Sequence, residues 1–115
     1  MRLLGFKGEE LAVRFLKKKG YKIVSKNYRT RIGEIDIIAE DKGILVFVEV
    51  KTRTDDSFGH AFEAVNYKKR EKLRKVALCY LKSYKKDAQP SRFDVLSIQM
   101  SGDTSKVEHI VDAFE

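Results

Sequence analysis

The chain has one cysteine, Cys79, one proline, Pro90, and no tryptophan in 115 residues. A lone cysteine excludes an intrachain disulfide and agrees with a reducing compartment. The two histidines, His60 and His109, are far apart and in no zinc-like spacing, so neither is assigned a role. No apolar run approaches the roughly 20 residues of a membrane span. Residues 1–6 are too short an apolar run for a signal peptide. The expectation is a cytoplasmic protein with no membrane partner. There is no Gly-rich phosphate loop, internal repeat or low-complexity segment.

What the sequence does have is apolar residues, at 43%, and charge, with 24 Lys and Arg against 17 Asp and Glu, a net of +7. This length reads as a single domain over residues 1–115, large enough for a real core. The excess charge is concentrated. Residues 66–86 hold nine bases and one acid, whereas residues 87–115 hold six acids and two bases. A basic surface can serve solubility alone, but clustering on one element favours a polyanionic partner.

The chain is organised around residues 33–53, GEIDIIAEDKGILVFVEVKTR, which read as two adjacent strands. Gly43 supplies the positive φ of the turn between them. Alternation puts Leu45, Phe47, Glu49 and Lys51 on one face of the second strand, and Ile44, Val46, Val48 and Val50 on the other. On the first strand it groups Glu34, Asp36 and Ile38 against Ile35, Ile37 and Ala39. A central strand has no packing use for Glu49 or Lys51. A hairpin would bring Asp36 beside Glu49, so that two carboxylates and a lysine converge. Hard divalent cations are often held by one or two carboxylates, and a neighbouring lysine can position water. Glu34 is open to two readings, an extra ligand or a solvated acid.

The other elements follow in order. A helix over residues 6–19 carries Leu11, Ala12, Phe15 and Leu16 at helical spacing and ends at Gly20. Glu9 falls at the edge of its apolar stripe; on the residues alone it is an ordinary first-turn acid. Residues 21–28 read as a strand. Arg29 and Arg31 follow it and fit either phosphate contact or solvation. Residues 53–59 form a polar loop whose Asp55 and Asp56 read as solvated. A long helix over residues 60–85 carries Phe62, Val65, Leu73, Val76, Ala77, Tyr80 and Tyr84 on one stripe, with Lys69 in its middle. Lys69 either snorkels out of the core or reaches the cleft and meets a phosphate, Asp36 or Glu49. Cys79 reads as a core thiol. Residues 92–99 form a strand in which Arg92 and Asp94 share a face and pair structurally. Residues 106–111 form a short hairpin partner, and Phe114 docks on the core. The order helix, three strands, helix, two strands implies an α/β sandwich with a mixed sheet and a crossover through the long helix.

Asp36 followed by Glu49-Val50-Lys51 resembles the PD-(D/E)XK nuclease signature of restriction enzymes and Holliday junction resolvases. More narrowly, the chain resembles the YraN family of small bacterial proteins. Gly8-Glu9, Gly20-Tyr21, Gly33-Glu34-Ile35-Asp36, Phe47 through Arg53, Arg92-Phe93-Asp94 and Asp112-Ala113-Phe114 fit in order. Ile35, not proline, precedes Asp36, as in the YraN pattern. The resemblance implies a restriction-endonuclease-like α-β-β-β-α-β(-β) core and hydrolysis of phosphodiester bonds. It implies Mg²⁺ or Mn²⁺ held by Asp36, Glu49 and the Val50 carbonyl, with Glu9 as a further metal-site acid and Lys51 positioning water. Lys69 would assist the substrate, and Lys68, Arg70, Lys72, Arg53 and Arg31 would contact nucleic acid, DNA in preference to RNA. Resolvase-like relatives work as dimers, so a homodimer is admitted, although no stretch names an interface. The alternative is a non-catalytic nucleic-acid-binding module on the same fold. Docking to an acidic protein or membrane fits less well, because the basic helix is patterned for core packing.

Overall fold

The computed structural model describes residues 3–53 and 66–115, with side chains from residue 8 onward. The elements are α1 (Leu3–Lys18), β1 (Lys22–Arg29), β2 (Glu34–Asp41), β3 (Ile44–Arg53), α2 (Tyr67–Ser83), β4 (Ser91–Ser101) and β5 (Thr104–Phe114). The strands form one sheet in chain order. Only β3 and β4 pair parallel, and α2 makes the crossover between them. The other neighbours are antiparallel. This is the mixed α/β sandwich that the element order implies. No helix among the described residues is long and apolar enough to cross a membrane. Asp55, Asp56, His60, Phe62 and Val65 lie outside the described residues.

Among the described residues each face of the sheet carries one helix and one core. Ala12 and Leu16 of α1 pack with Tyr21, Ile37, Ala39, Val46, Val48, Leu96 and Ile98. Leu73, Val76, Ala77 and Tyr80 of α2 pack with Ile35, Ile38, Leu45, Phe47, Val95 and Phe114. The alternation of β3 holds as read, because this strand is covered on both faces and its apolar residues go where the pleat sends them. The grouping on β2 does not hold. Ile35 packs on the α2 side with Ile38, while Ile37 and Ala39 face α1. The β2–β3 ladder begins only at Ile37–Val48. Before it the strands are joined by the Asp36 side chain instead, so strict alternation across Asp36 is lost.

The turns follow local chemistry. After α1, the Gly20 N–H bonds the Lys17 carbonyl and the Tyr21 N–H bonds the Leu16 carbonyl, with Gly20 at φ +93°. That is a Schellman cap, sealed by Tyr21 on Leu16 in one core. Lys42 and Gly43 both have positive φ, giving the tight hairpin whose handedness suits the sheet twist. The described part of α2 starts at Tyr67, later than residue 60, with Asn66 as its N-cap accepting from the Lys69 N–H. It ends before Tyr84, which caps the helix and is exposed rather than on the buried stripe. β5 is longer than the expected residues 106–111. It is an edge strand with little apolar signal, and its length comes from pairing with β4.

Phe114 does dock, buried and stacked on Phe93 at 4.7 Å. Arg92 and Asp94 do pair, but within a larger buried network. Asp94 takes Arg92 Nε, His109 Nε2 and the Asp112 N–H, and Arg92 also reaches Tyr21 Oη and Asp41. Lys19 Nζ lies 2.8 Å from His109 Nδ1. An ammonium can only donate, so Nε2 carries the hydrogen given to Asp94. His109, assigned no role from sequence, is thus a buried structural partner. Cys79 is half-buried, a less complete burial than a core thiol.

Candidate active site

The site forms where β2 and β3 part. Asp36 Oδ2 accepts the Val50 N–H at 2.8 Å across the gap. A small cleft of about 240 Å³ opens here on the α2 side. Gly33, Glu34, Asp36, Glu49 and Val50 line one wall, and Lys69, Lys72, Leu73 and Val76 line the other. β3 brings Glu49 into this wall because its face is apolar up to Phe47 and charged beyond it. α2 brings Lys69 one turn before buried Leu73, so the side chain leaves the core stripe at the cleft mouth.

The charges are tightly interlocked. Glu49 is buried, and its Oε2 is in ion-pair contact with Lys69 Nζ. Beyond that ion pair, Oε2 is a buried oxygen with no hydrogen-bond partner among the described residues. Burial pushes the Asp36 carboxyl up to about 8, reinforced by the hydrogen bond and negative charge of Glu49 and opposed by the Val50 N–H. Burial and the neighbouring Lys69 hold the Lys51 ammonium below its usual range. Burial works against the charge on Lys69, yet Glu49 more than offsets it and the pKa is raised. Asp36, Glu49, Lys51 and Lys69 therefore form one group of alternating charge.

Glu9 stands on the other side of the sheet. It lines a depression with Glu10, Val13, Arg14, Lys26 and Asn27, not the cleft, although its charge is felt at Asp36. α1 can approach β3 here because Gly8 is buried, and a Cβ on it would overlap Thr52 Oγ1. Sequence alone gave Gly8 no such task; only the helix–strand approach reveals it. Glu34 lines the cleft but is held by Arg29 at 3.0 Å, so Arg29 is an ion-pair partner here. Lys68 is exposed on α2. Arg70 lies over the Phe114 ring, 5.6 Å from its centre, which gives it a packing task. Arg31 is exposed in the turn before β2, and Arg53 is half-exposed at the end of β3; neither lines the cleft.

The donor set suits a hard cation. Among the described residues no three His, Cys, Asp or Glu side chains converge in a metal-ligating group. Asp36 and Glu49 nevertheless offer two adjoining carboxylates and a buried oxygen without a hydrogen bond. Mg²⁺ and Mn²⁺ need little more from protein, since water and substrate phosphate complete their shell. A strand residue's N–H and C=O leave by one edge, so the Val50 carbonyl is turned to the same gap as the N–H that reaches Asp36.

Comparison with known proteins places the chain. Residues 8–98 match the model of "Uncharacterised protein family UPF0102". The UPF0102 protein of Thermodesulfovibrio yellowstonii is 50% identical over 111 residues, which is 96% of this chain and 95% of that protein. That of Syntrophomonas wolfei is 48% identical over 113 residues, 98% of each. That of Alkaliphilus oremlandii is 50% identical over 113 residues, 96% of this chain and 97% of the other. With the match running from Gly8 to Ile98, through every residue that lines the cleft, the chain belongs to the UPF0102 family.

Proposed function

We propose that this protein is a metal-dependent nuclease of the PD-(D/E)XK kind, hydrolysing phosphodiester bonds of nucleic acid, with DNA favoured over RNA. The observation that carries the reading is the convergence of Asp36 and Glu49 beside Lys51 and Lys69 at an open break in the sheet. Asp36 and Glu49, with the Val50 carbonyl, would hold Mg²⁺ or Mn²⁺, and Glu9 would add negative charge from behind. The ion, when bound, supplies Lewis-acid charge stabilisation and makes water more acidic. Lys51, less firmly protonated than an exposed lysine, positions the attacking water and faces the charge that develops on the phosphate. Lys72 and Lys68 on α2 hold flanking phosphates. The N-terminus of α2 supports this reading. Its first turn holds no acid and carries Lys68, Lys69 and Arg70, which add positive charge to the positive end of the helix dipole beside the cleft.

The test is cleavage of single-stranded, duplex and four-way-junction DNA and of structured RNA, with Mg²⁺, with Mn²⁺ and with EDTA. Lys51→Ala and Asp36→Ala are each expected to lower the metal-dependent rate at least about 100-fold, the scale of losing a positioned acid–base or charge-stabilising group. Circular dichroism should show the fold intact. Cleavage by both variants at the wild-type rate would sink the assignment.

One observation favours the second reading, a binding module without turnover: the site is already neutralised from within, by Lys69 on Glu49 and by a proton on Asp36. On that reading nucleic-acid binding survives EDTA and no metal supports cleavage.

A further inference from the structure

Glu49 is 5% exposed, and one of its oxygens has no hydrogen bond. The cation held against that oxygen is the ammonium of Lys69, whose side chain is 39% exposed. Lys69 is thus anchored at its tip to a buried acid while its stem runs along the cleft mouth. It comes from α2, not from either strand of the site, so the contact can open without disturbing the sheet. Among the described residues the tip is held chiefly by Glu49, with weaker support from a contact with Lys51 and from the charge of Asp36. The first turn of α2 is fixed by the Asn66 cap, which keeps the Lys69 backbone in place whichever way its side chain points.

We propose that Lys69 is a resident counter-cation of the site, which occupies Glu49 Oε2 in the free protein and is displaced into the cleft mouth when a divalent cation binds. The proposal rests on the metal-site reading of Asp36 and Glu49. A divalent cation and the Lys69 ammonium compete for this one buried oxygen, because like charges held side by side on it repel each other in a poorly screened site. The cleft mouth beside Lys72 is open to a displaced Lys69. There its charge adds to a phosphate-binding surface. The cation and a nucleic-acid phosphate would then favour the same Lys69 position, and two ligands that prefer one state bind cooperatively. The free protein holds its acidic pair covered by its own ammonium, and the metal and the polyanion uncover it together. Lys69 is a positioning residue on this account.

The measurement is side-chain relaxation of the lysine ¹³Cε groups in the whole protein, titrated with Mg²⁺. Lys69→Met assigns the Lys69 resonance, exposed Lys72 is the internal reference, and calorimetry follows binding. The expected result is a rigid Lys69 Cε without Mg²⁺ that gains the mobility of Lys72 along the same saturation curve as the calorimetric heat. Asp36→Asn should lose both the heat and the change in mobility. A Lys69 that stays rigid while Mg²⁺ binds in an Asp36-dependent way overturns the displacement and leaves the metal site standing. No saturable Mg²⁺ binding to the wild-type protein overturns both.

Discussion

Asp94 shows how a single acid can be buried and still stabilise. It has no exposed surface and is surrounded by Arg92, His109 and the Asp112 N–H. Burial alone would raise its pKa. The hydrogen bonds from His109, Asp112 and Arg92 outweigh burial and hold it below the ordinary value. A depressed folded pKa means the stabilisation is complete above the unfolded pKa, about 3.9, and is lost as pH falls through the folded value. Asp94→Asn is therefore expected to cost about 3 kcal/mol at neutral pH, the scale of breaking a buried ion pair. Urea denaturation at neutral pH and at a series of acid pH values well below the ordinary carboxylate range checks this. The wild-type and variant midpoints should converge in acid; a gap that stays constant with pH would show that Asp94 acts by shape alone. The pairing of Arg92 with Asp94 was legible two residues apart on one strand face. The part played by His109 was not, because it depends on the β4–β5 register, which shifts between Phe93 and Val95. The site residues divide in the same way. Glu49 and Lys51 stand out as charges on a buried strand. Gly8 stood out only as part of the family pattern and Asn66 not at all, since their tasks exist only once α1 meets Thr52 and α2 has its first turn.

At the scale of elements, the packing of α1 depends on how closely it lies against β3. Gly8 sits in that contact with no room for a methyl group, because its nearest neighbour is the short, branched Thr52 rather than the end of a flexible chain. Gly8→Ala is expected to destabilise by about 1–3 kcal/mol, the usual cost of overpacking. A gain from better helix propensity would offset about 1 kcal/mol at most. Thr52→Ala removes the overlapping oxygen, so the double variant should regain most of the loss. Thermal melts of the four proteins in that cycle measure the coupling. Additive effects would mean the two residues do not meet. The elements themselves were largely legible. β3, buried on both faces, announces itself as a continuous apolar run. β2 misled at Asp36, where a side chain takes the place of a backbone partner and the period-2 pattern no longer reports which face a residue occupies. The strand ends of β5 were hidden for another reason: an edge strand can be polar on most positions and still be held by one neighbour.

At the scale of the whole molecule, charge and architecture coincide. α2 lies on one face of the sheet and carries the cleft wall, and its exposed positions include Lys68, Lys72, Lys75 and Lys82. The acid-rich last quarter of the chain forms β4 and β5, at the far edge of the sheet from β1. On the proposed function, a long polyanion would be drawn to one side of the protein and repelled from another, which would orient it before any close contact forms. If nucleic acid lies along α2, the lysines beside the cleft displace counterions from phosphates and the remote lysines do not. Each phosphate contact contributes about −0.9 to the slope of log affinity against log salt on duplex DNA. Lys68→Gln and Lys72→Gln should each weaken binding and make that slope shallower by about 1. Lys106→Gln, on exposed β5, has the same charge change in the acid-rich region and should leave the slope unchanged. Fluorescence anisotropy over a salt series, in EDTA so that no cleavage intervenes, makes the comparison. Equal losses in all three variants would mean that net charge, not the α2 face, attracts the polyanion. The catalytic reading would then need a different path for substrate into the cleft. A selective loss at Lys68 and Lys72 would fix the direction of approach: across the N-terminal half of α2, toward Lys69 and the acidic pair behind it.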